Sequence, residues 1–82
     1  MIMPTGMLMY ELHLPIIMMT QLKLQSGVLT KDVAKREFQL ALKYLKDSME
    51  ILRHQPDGCF EKNVYYGAKD SIQPIQNFVN SL

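Results

Sequence analysis

Four side chains in this sequence have the chemistry for catalysis or metal binding: Cys59, His54, His13 and Glu11. A cysteine beside a histidine can form a nucleophile–base pair. Cys59 and His54, however, stand on either side of a Pro-Asp-Gly turn, and a lone turn cysteine is usually unreactive. Glu11 and His13 are two residues apart in a helical pattern, so they point to different faces, which disfavours an acid–base pair. The sequence therefore predicts no catalytic residue, and the chain is not expected to be an enzyme.

The sequence also lacks the residues that would bind a metal ion or a cofactor. A zinc site needs about four ligands at recognisable spacing, whereas this chain has 1 cysteine and 2 distant histidines. It has no H-E-x-x-H motif, no glycine-rich phosphate loop and no nucleophile elbow. We expect no metal ligand and no cofactor-binding residue. The single cysteine excludes an internal disulfide framework and is typical of a reducing compartment, so we expect an intracellular protein, cytoplasmic or nuclear or both.

Length, net charge and the distribution of apolar residues indicate which class of molecule the chain binds. The chain has 82 residues, enough for one small domain, and a net charge of +1, which gives no electrostatic basis for nucleic-acid binding. Its longest strictly apolar run covers residues 14–19, far short of the roughly 20 residues that a spanning helix needs. The apolar start also has no broad polar face with which to lie on a membrane surface. We therefore expect a protein partner, not a nucleic acid or a membrane.

Periodicity and turn residues divide the chain into three helical segments, at about residues 5–25, 31–54 and 58–81. Thr30 is the predicted N-cap of the second helix, and Pro56 lies just past its end. Either Asp57 or Gly58 is expected to cap the third. No sustained period-two alternation predicts a strand. The expected fold is all-α: a three-helix array in which a tetratricopeptide-like hairpin follows a kinked hydrophobic helix.

Two prolines fall inside the helical patterns. Pro15 removes a backbone hydrogen bond from the first helix, where the apolar pattern continues on both sides, so we expect a kink there. Pro74 interrupts the third pattern, and we expect either a kink or a break near residues 70–73.

The first helix is apolar on every side, since the sequence from Met7 to Leu24 reads MLMYELHLPIIMMTQLKL. A helix of this kind is expected to be buried all round, and two further short helices cannot cover it. The chain is thus expected to be a piece of something larger or one partner of a tight complex. Methionines spread around a helix are typical of a core, but methionine-rich surfaces also bind partner helices. The candidate partner interface comprises Met7, Met9, Ile16, Ile17, Met18, Met19 and Tyr66.

Several motifs from Gly6 onward carry a resemblance to a known family. The first helix reads G-x-L-x-Y-E-L-H-x-P over residues 6–15, and the second reads A-L-x-x-L-K-x-x-x-x-I-L over residues 41–52. A P-x-G turn at residues 56–58 and a final amphipathic helix complete the set. Together they resemble the C-terminal helical region of an arthropod-type SET- and MYND-domain protein, although helical-hairpin repeats share the second half of the pattern. Pro74 departs from the uninterrupted last helix that this resemblance implies.

The resemblance implies a protein-lysine methyltransferase family that uses S-adenosylmethionine and binds zinc in separate modules. The cofactor pocket and the zinc ligands of such proteins belong to regions that have no counterpart in this sequence, so no catalytic residue is carried over. The leading interpretation is a non-catalytic helical module that contacts the rest of the parent chain, a substrate or a partner. The alternative is a free-standing helical module for protein interaction or dimerisation.

Overall fold

A computed structural model describes residues 5–82 of the chain. Within these residues the protein is entirely helical and has no strand. The helices are α1 (Thr5–Gln25), α2 (Lys31–Leu52) and α3 (Phe60–Ser81). The all-α prediction is confirmed. α1 has the predicted bounds, whereas α2 ends two residues before the predicted end and α3 begins two residues after the predicted start.

Side-chain caps determine where α2 and α3 begin. Thr30 is the N-cap of α2, as predicted, and its hydroxyl oxygen accepts a hydrogen bond from the backbone N–H of Val33 at 3.3 Å. The N-cap of α3 is Cys59, whose sulfur accepts from the backbone N–H of Lys62 at 3.4 Å. The prediction that Asp57 or Gly58 caps this helix is therefore wrong. Gly58 has a φ of +88°, a conformation that suits the turn before the cap and not the cap itself.

Both internal prolines are accommodated within continuous helices. α1 runs without interruption through Pro15, and α3 runs through Pro74. The predicted alternative of a break at residues 70–73 is wrong. Packing on both sides of Pro74 accounts for this, because Ala68 before it and Val79 after it are both buried. The helix therefore stays in contact with its neighbours despite the missing backbone N–H.

α2 is the central helix, and α1 and α3 both run antiparallel to it. At one end of the fold, Met7 of α1 and Val64 of α3 pack with Leu52 of α2. At the other end, the rings of Phe38 and Phe78 meet edge to face at 5.4 Å. The contacts between α1 and α3 are few. Each outer helix therefore depends on α2 for most of its packing.

The contact between α1 and α2 is built from small and polar side chains at seven-residue intervals. On α1 the buried positions include Gly6, His13 and Thr20, and on α2 they include Ala34, Ala41 and Ser48. The Ser48 hydroxyl donates a hydrogen bond of 2.7 Å to the carbonyl oxygen of Gly6. Small side chains let two helices approach closely. The approach at Gly6 is so close that an added Cβ would lie 2.6 Å from Cγ of Leu52.

Candidate protein-contact surface

The side of α1 that faces away from α2 carries a row of apolar side chains, here called the outer stripe: Leu8, Leu12, Pro15, Met19 and Leu22. Their spacing alternates between four and three residues, which places them in one line along a helix. All five are exposed, and the leucines and the methionine expose between 39% and 61% of their surface. The outer stripe is a continuous apolar surface that no described part of the chain covers.

α1 differs from an ordinary surface helix, because its exposed side is apolar as well as its buried side. The buried side combines Gly6, His13 and Thr20 with Met7, and the exposed side carries leucines and methionines. Six large apolar side chains of α1 are exposed: Leu8, Leu12, Leu14, Met18, Met19 and Leu22. Their exposed fractions together equal about three fully exposed side chains, worth about 5–9 kcal/mol of gross hydrophobic free energy if covered. A free surface of this kind is typical of an interaction site.

Four of the predicted interface residues lie on or beside the outer stripe. Met19 belongs to it, and Met18 is 65% exposed on its α3 side. Met9 and Ile16 are half-buried at its other edge. These four side chains are available, wholly or in part, to a molecule that contacts α1.

Two predicted interface residues of α1 point inward instead. Met7 is 9% exposed and packs against Leu52 and Val64, so it belongs to the core and cannot form part of a surface. Ile17 is half-buried against the cluster that contains Phe38. The prediction included both because a sequence that is apolar all round does not reveal which side faces α2.

Tyr66 lies on α3, and its recorded contacts are with Asp57 and Tyr65, not with the outer stripe. Its hydroxyl donates a hydrogen bond of 3.2 Å to Asp57, and its ring meets Tyr65 edge to face at 5.3 Å. The hydrogen bond to the Asp57 carboxylate, reinforced by that group's negative charge, raises the pKa of Tyr66. Tyr65 is half-buried, whereas Tyr66 is exposed. Nothing in these contacts joins Tyr66 to α1.

Grooves border the outer stripe on both sides. Between α1 and α2, Met19 and Ile16 face Val33, with Lys23 and Glu37 beside them. Between α1 and α3, the lining residues include Leu14, Met18, Asp70 and Pro74. Each groove has an apolar floor and charged groups within reach, a combination typical of surfaces that bind a helix.

His13 is the one histidine buried in the described residues, with 3% of its surface exposed. Its Nδ1 is hydrogen-bonded to the backbone carbonyl of Tyr10, and because a carbonyl can only accept, Nδ1 carries the proton. Burial lowers the pKa of His13, and the hydrogen bond to Tyr10 opposes that effect. The side chain is therefore part of the packing of α1, with Nδ1 held by the carbonyl of Tyr10.

The remaining chemistry-bearing residues are engaged in local structure. Cys59 is a helix cap, and His54 accepts a hydrogen bond of 3.2 Å from Arg53. Among residues 5–82, no three His, Cys, Asp or Glu side chains come together as metal ligands would. None of the helices in this range has the length and apolar character to cross a membrane.

The sequence analysis predicted one residue of the outer stripe, Met19, as an interface residue. It missed the other four: Leu8, Leu12, Pro15 and Leu22. The sequence does contain a signal for them, because alternating four- and three-residue spacing is the pattern of a helix-pairing seam. The same spacing also occurs on the inner side of α1, through Tyr10, His13 and Ile17. Because apolar residues line both sides of α1, the helix has almost no overall amphipathicity, and neither side stands out in the sequence.

Comparison of the chain with protein families, with curated proteins and with solved structures found no match.

Proposed function

We propose that this chain is a non-catalytic helical module for protein–protein contact, and that the outer stripe of α1 is its contact surface. The observation that carries the proposal is that α1 is apolar on two opposite sides. It packs one side against α2 through residues such as Met7 and Ile17, and it presents leucines and methionine on the other, where no described part of the chain covers them. Covering those side chains removes apolar surface from water, which is the main driving force of most protein association.

The resemblance supports a narrower form of this proposal. The Tyr10–Pro15 run is its most distinctive part, and it contributes to both sides of α1: Tyr10 and His13 point inward, while Leu12 and Pro15 belong to the outer stripe. In this form the chain is the C-terminal helical module of a SET- and MYND-like protein-lysine methyltransferase. S-adenosylmethionine and zinc would then bind in other parts of the parent, and the module would serve scaffolding and contact with substrate or partner.

The proposed architecture is a tetratricopeptide-like array. Supporting it, α1 and α3 lie parallel to each other on a shared central helix, as alternate helices do in stacked hairpins. A bend of α1 at Pro15 is part of the proposal, because the proline removes the N–H that would bond to the carbonyl of Glu11. Such arrays extend by adding further helices to an exposed helix face.

Hydroxyl-radical footprinting tests the proposed contact surface. Met18 and Met19 are exposed in the isolated chain, so they are expected to oxidise rapidly in a dilute purified sample. In an extract of the cells that make the protein, we expect both to oxidise several-fold more slowly, because a protein covers them. Met49, half-buried on α2, is the internal control: the extract consumes radicals and slows the oxidation of every residue, so the rates of Met18 and Met19 are compared after division by the rate of Met49 in the same sample. Equal rates for Met18 and Met19 in the two samples would contradict the proposal.

A further inference from the structure

A cavity of about 310 Å³, here called the α1–α3 cavity, lies between the two outer helices. Its polar lining comes from His13 on α1 and from Asp70 and Ser71 on α3. The remaining lining residues are apolar: Leu14, Ile17, Met18, Pro74 and Ile75. The volume lies at the lower end of the range for small-molecule sites, which combine apolar walls with a few polar groups in the same way.

The imidazole of His13 has one nitrogen that the fold leaves unpaired. Nδ1 donates to the carbonyl of Tyr10, so Nε2 carries a lone pair while the ring is neutral. Among residues 5–82, Nε2 has no hydrogen-bond partner, yet no buried side-chain nitrogen there is both unpaired and sealed from solvent. Nε2 is therefore the part of this almost fully buried side chain that solvent reaches. Because His13 lines the α1–α3 cavity, the lone pair is available to a ligand in it.

The other polar groups of the cavity are hydrogen-bond acceptors as well. Asp70 contributes a carboxylate, which has no ion-pair partner among the described residues. The hydroxyl of Ser71 donates to the carbonyl of Gly67 at 2.8 Å, so its oxygen keeps lone pairs and no free proton. Pro74 has no N–H to donate to the carbonyl of Asp70, four residues before it. The lining side chains thus offer acceptors and one negative charge, and none of them has a free donor.

We propose that the α1–α3 cavity binds a primary ammonium group carried on a short apolar stem. An ammonium group has three N–H donors and one positive charge, which complement an imidazole lone pair, a hydroxyl oxygen and a carboxylate. The apolar walls of the cavity would remove the stem from water. An anionic ligand would meet the charge of Asp70 and find no donor. The inference goes beyond the proposed function, because the site is this cavity and not the outer stripe.

Binding should depend on pH in a direction that His13 sets. Burial lowers the pKa of His13 below 6.5, so Nε2 keeps its lone pair at neutral pH. As the pH falls through that pKa, the ring gains a proton and a positive charge, and it then repels an ammonium group. The titratable groups beside it are Tyr10 on α1 and Asp70 on α3, and no residue of α2 lines the cavity. We therefore expect affinity to fall as the pH is lowered below about 6.5.

NMR titration of the full chain with n-butylammonium chloride at neutral pH tests the site. So small a ligand binds weakly, and concentrations up to about 100 mM are needed. We expect a saturable change in the ¹⁵N shift of Nε2 of His13, in the direction of a nitrogen that accepts a hydrogen bond, and little change at Nδ1. Sodium pentanoate has the same butyl stem and the opposite charge. At equal ionic strength it should leave Nε2 unchanged.

Two matched variants test the carboxylate. Asp70 and Asp32 are both exposed on helices, and Asp32 does not line the cavity. D70N should raise the Kd of n-butylammonium at least about fivefold, because the charged acceptor is lost. D32N should bind like the parent chain. In the parent chain, acidification through the pKa of His13 should weaken binding.

Three outcomes overturn the inference: an Nε2 that carries the proton in the free protein at neutral pH, an equal response to pentanoate, or equal affinities for D70N and D32N. Protection of Met18 and Met19 in the cell extract is measured separately, so any of these outcomes would leave the proposed function standing.

A second ligand, N-acetyl-lysine-N-methylamide, shows where the ammonium group comes from, because it carries the same four-carbon stem on a peptide backbone. Affinity equal to that of n-butylammonium supports the site and assigns it to a basic side chain of a bound protein. Affinity several-fold weaker also supports the site and assigns it to a free amine.

Discussion

Single residues set how closely the helices of this protein approach one another. Gly6 and Ser48 form the tightest point, where the carbonyl of the glycine accepts a hydrogen bond from the serine hydroxyl. Gly67 on α3 occupies a looser position, since an added Cβ would meet the hydroxyl of Tyr10 at 3.5 Å, an ordinary contact distance. The two glycines are therefore expected to respond differently to the same substitution.

Gly6→Ala is expected to destabilise the fold by about 1–3 kcal/mol, because the new methyl group would overlap the buried side chain of Leu52 and push α1 away from α2. Gly67→Ala, the control, should be neutral or stabilising by up to about 1 kcal/mol, since alanine favours a helix and has room there. Urea unfolding of both variants at one fixed protein concentration measures the difference. Equal stability of the two variants would contradict the close approach at Gly6.

His13 makes stability depend on pH. Burial lowers its pKa in the folded state below the value of 6.5 for an unfolded chain. Its contribution to stability is thus complete above about pH 6.5 and is lost as the pH falls through the folded-state pKa, because the unfolded chain binds the proton more readily. We expect the free energy of unfolding to fall as the pH is lowered through about 6.5, and to level off once the folded-state pKa of His13 is passed.

Two variants assign this pH dependence to its residue. H13Q should flatten the stability profile over that range, whatever its overall stability. H54Q, which alters a histidine on the surface of the folded protein, should retain the slope. A slope that survives in H13Q and disappears in H54Q would show that the buried histidine is not its source.

Individual helices differ in how strongly their ends are capped. α2 begins at a threonine, one of the preferred N-cap residues, whereas α3 begins at a cysteine, whose sulfur is a weak acceptor. α1 has no acidic residue in its first turn to favour its helix dipole. α2, the central helix, therefore has the strongest local signals for its own formation.

Thr30→Ala is expected to lower the free energy of unfolding by about 1 kcal/mol, because the N–H of Val33 loses its partner. Cys59→Ser should raise it by ~0.5 kcal/mol, because a hydroxyl oxygen caps a helix better than a thiol. Thermal and urea unfolding followed by circular dichroism at 222 nm measure both. A stabilised T30A variant, or a clearly destabilised C59S variant, would contradict the assigned caps.

The whole molecule is a layer of helices in which α2 has a neighbour on each of two sides and α1 has one. The central helix buries large side chains such as Phe38, Leu42 and Leu45 almost completely. α1, in contrast, has apolar residues on both sides, and its contacts are mostly with α2 and few with α3. A protein partner packed on the outer stripe would cover the apolar side that these contacts leave exposed. Association and stability would then be coupled, because a partner that binds only the folded chain stabilises it.

Much of this fold could be predicted from local patterns. The helical period of Phe38, Leu42 and Leu45 identifies the buried side of α2 without ambiguity. Thr30 marks the start of α2 by its capping side chain, and Gly27, with a φ of +77°, follows the end of α1. α3 was harder, because a cysteine is an uncommon cap and a proline in a helical pattern usually predicts an end. Packing against α2 on both sides of Pro74 overrides that local signal.

The sequence by itself determined that the protein is helical, that α1 is apolar all round, and that two short helices cannot cover it. These follow from residue type and periodicity, which act over a few neighbouring positions. The tertiary structure decided which side of α1 is covered. It selects the side with Gly6, His13 and Thr20, where Gly6 allows the closest approach to α2 and accepts a hydrogen bond from Ser48. That choice depends on two helices fitting each other across space, and it leaves the leucines and the methionine of the outer stripe facing outward.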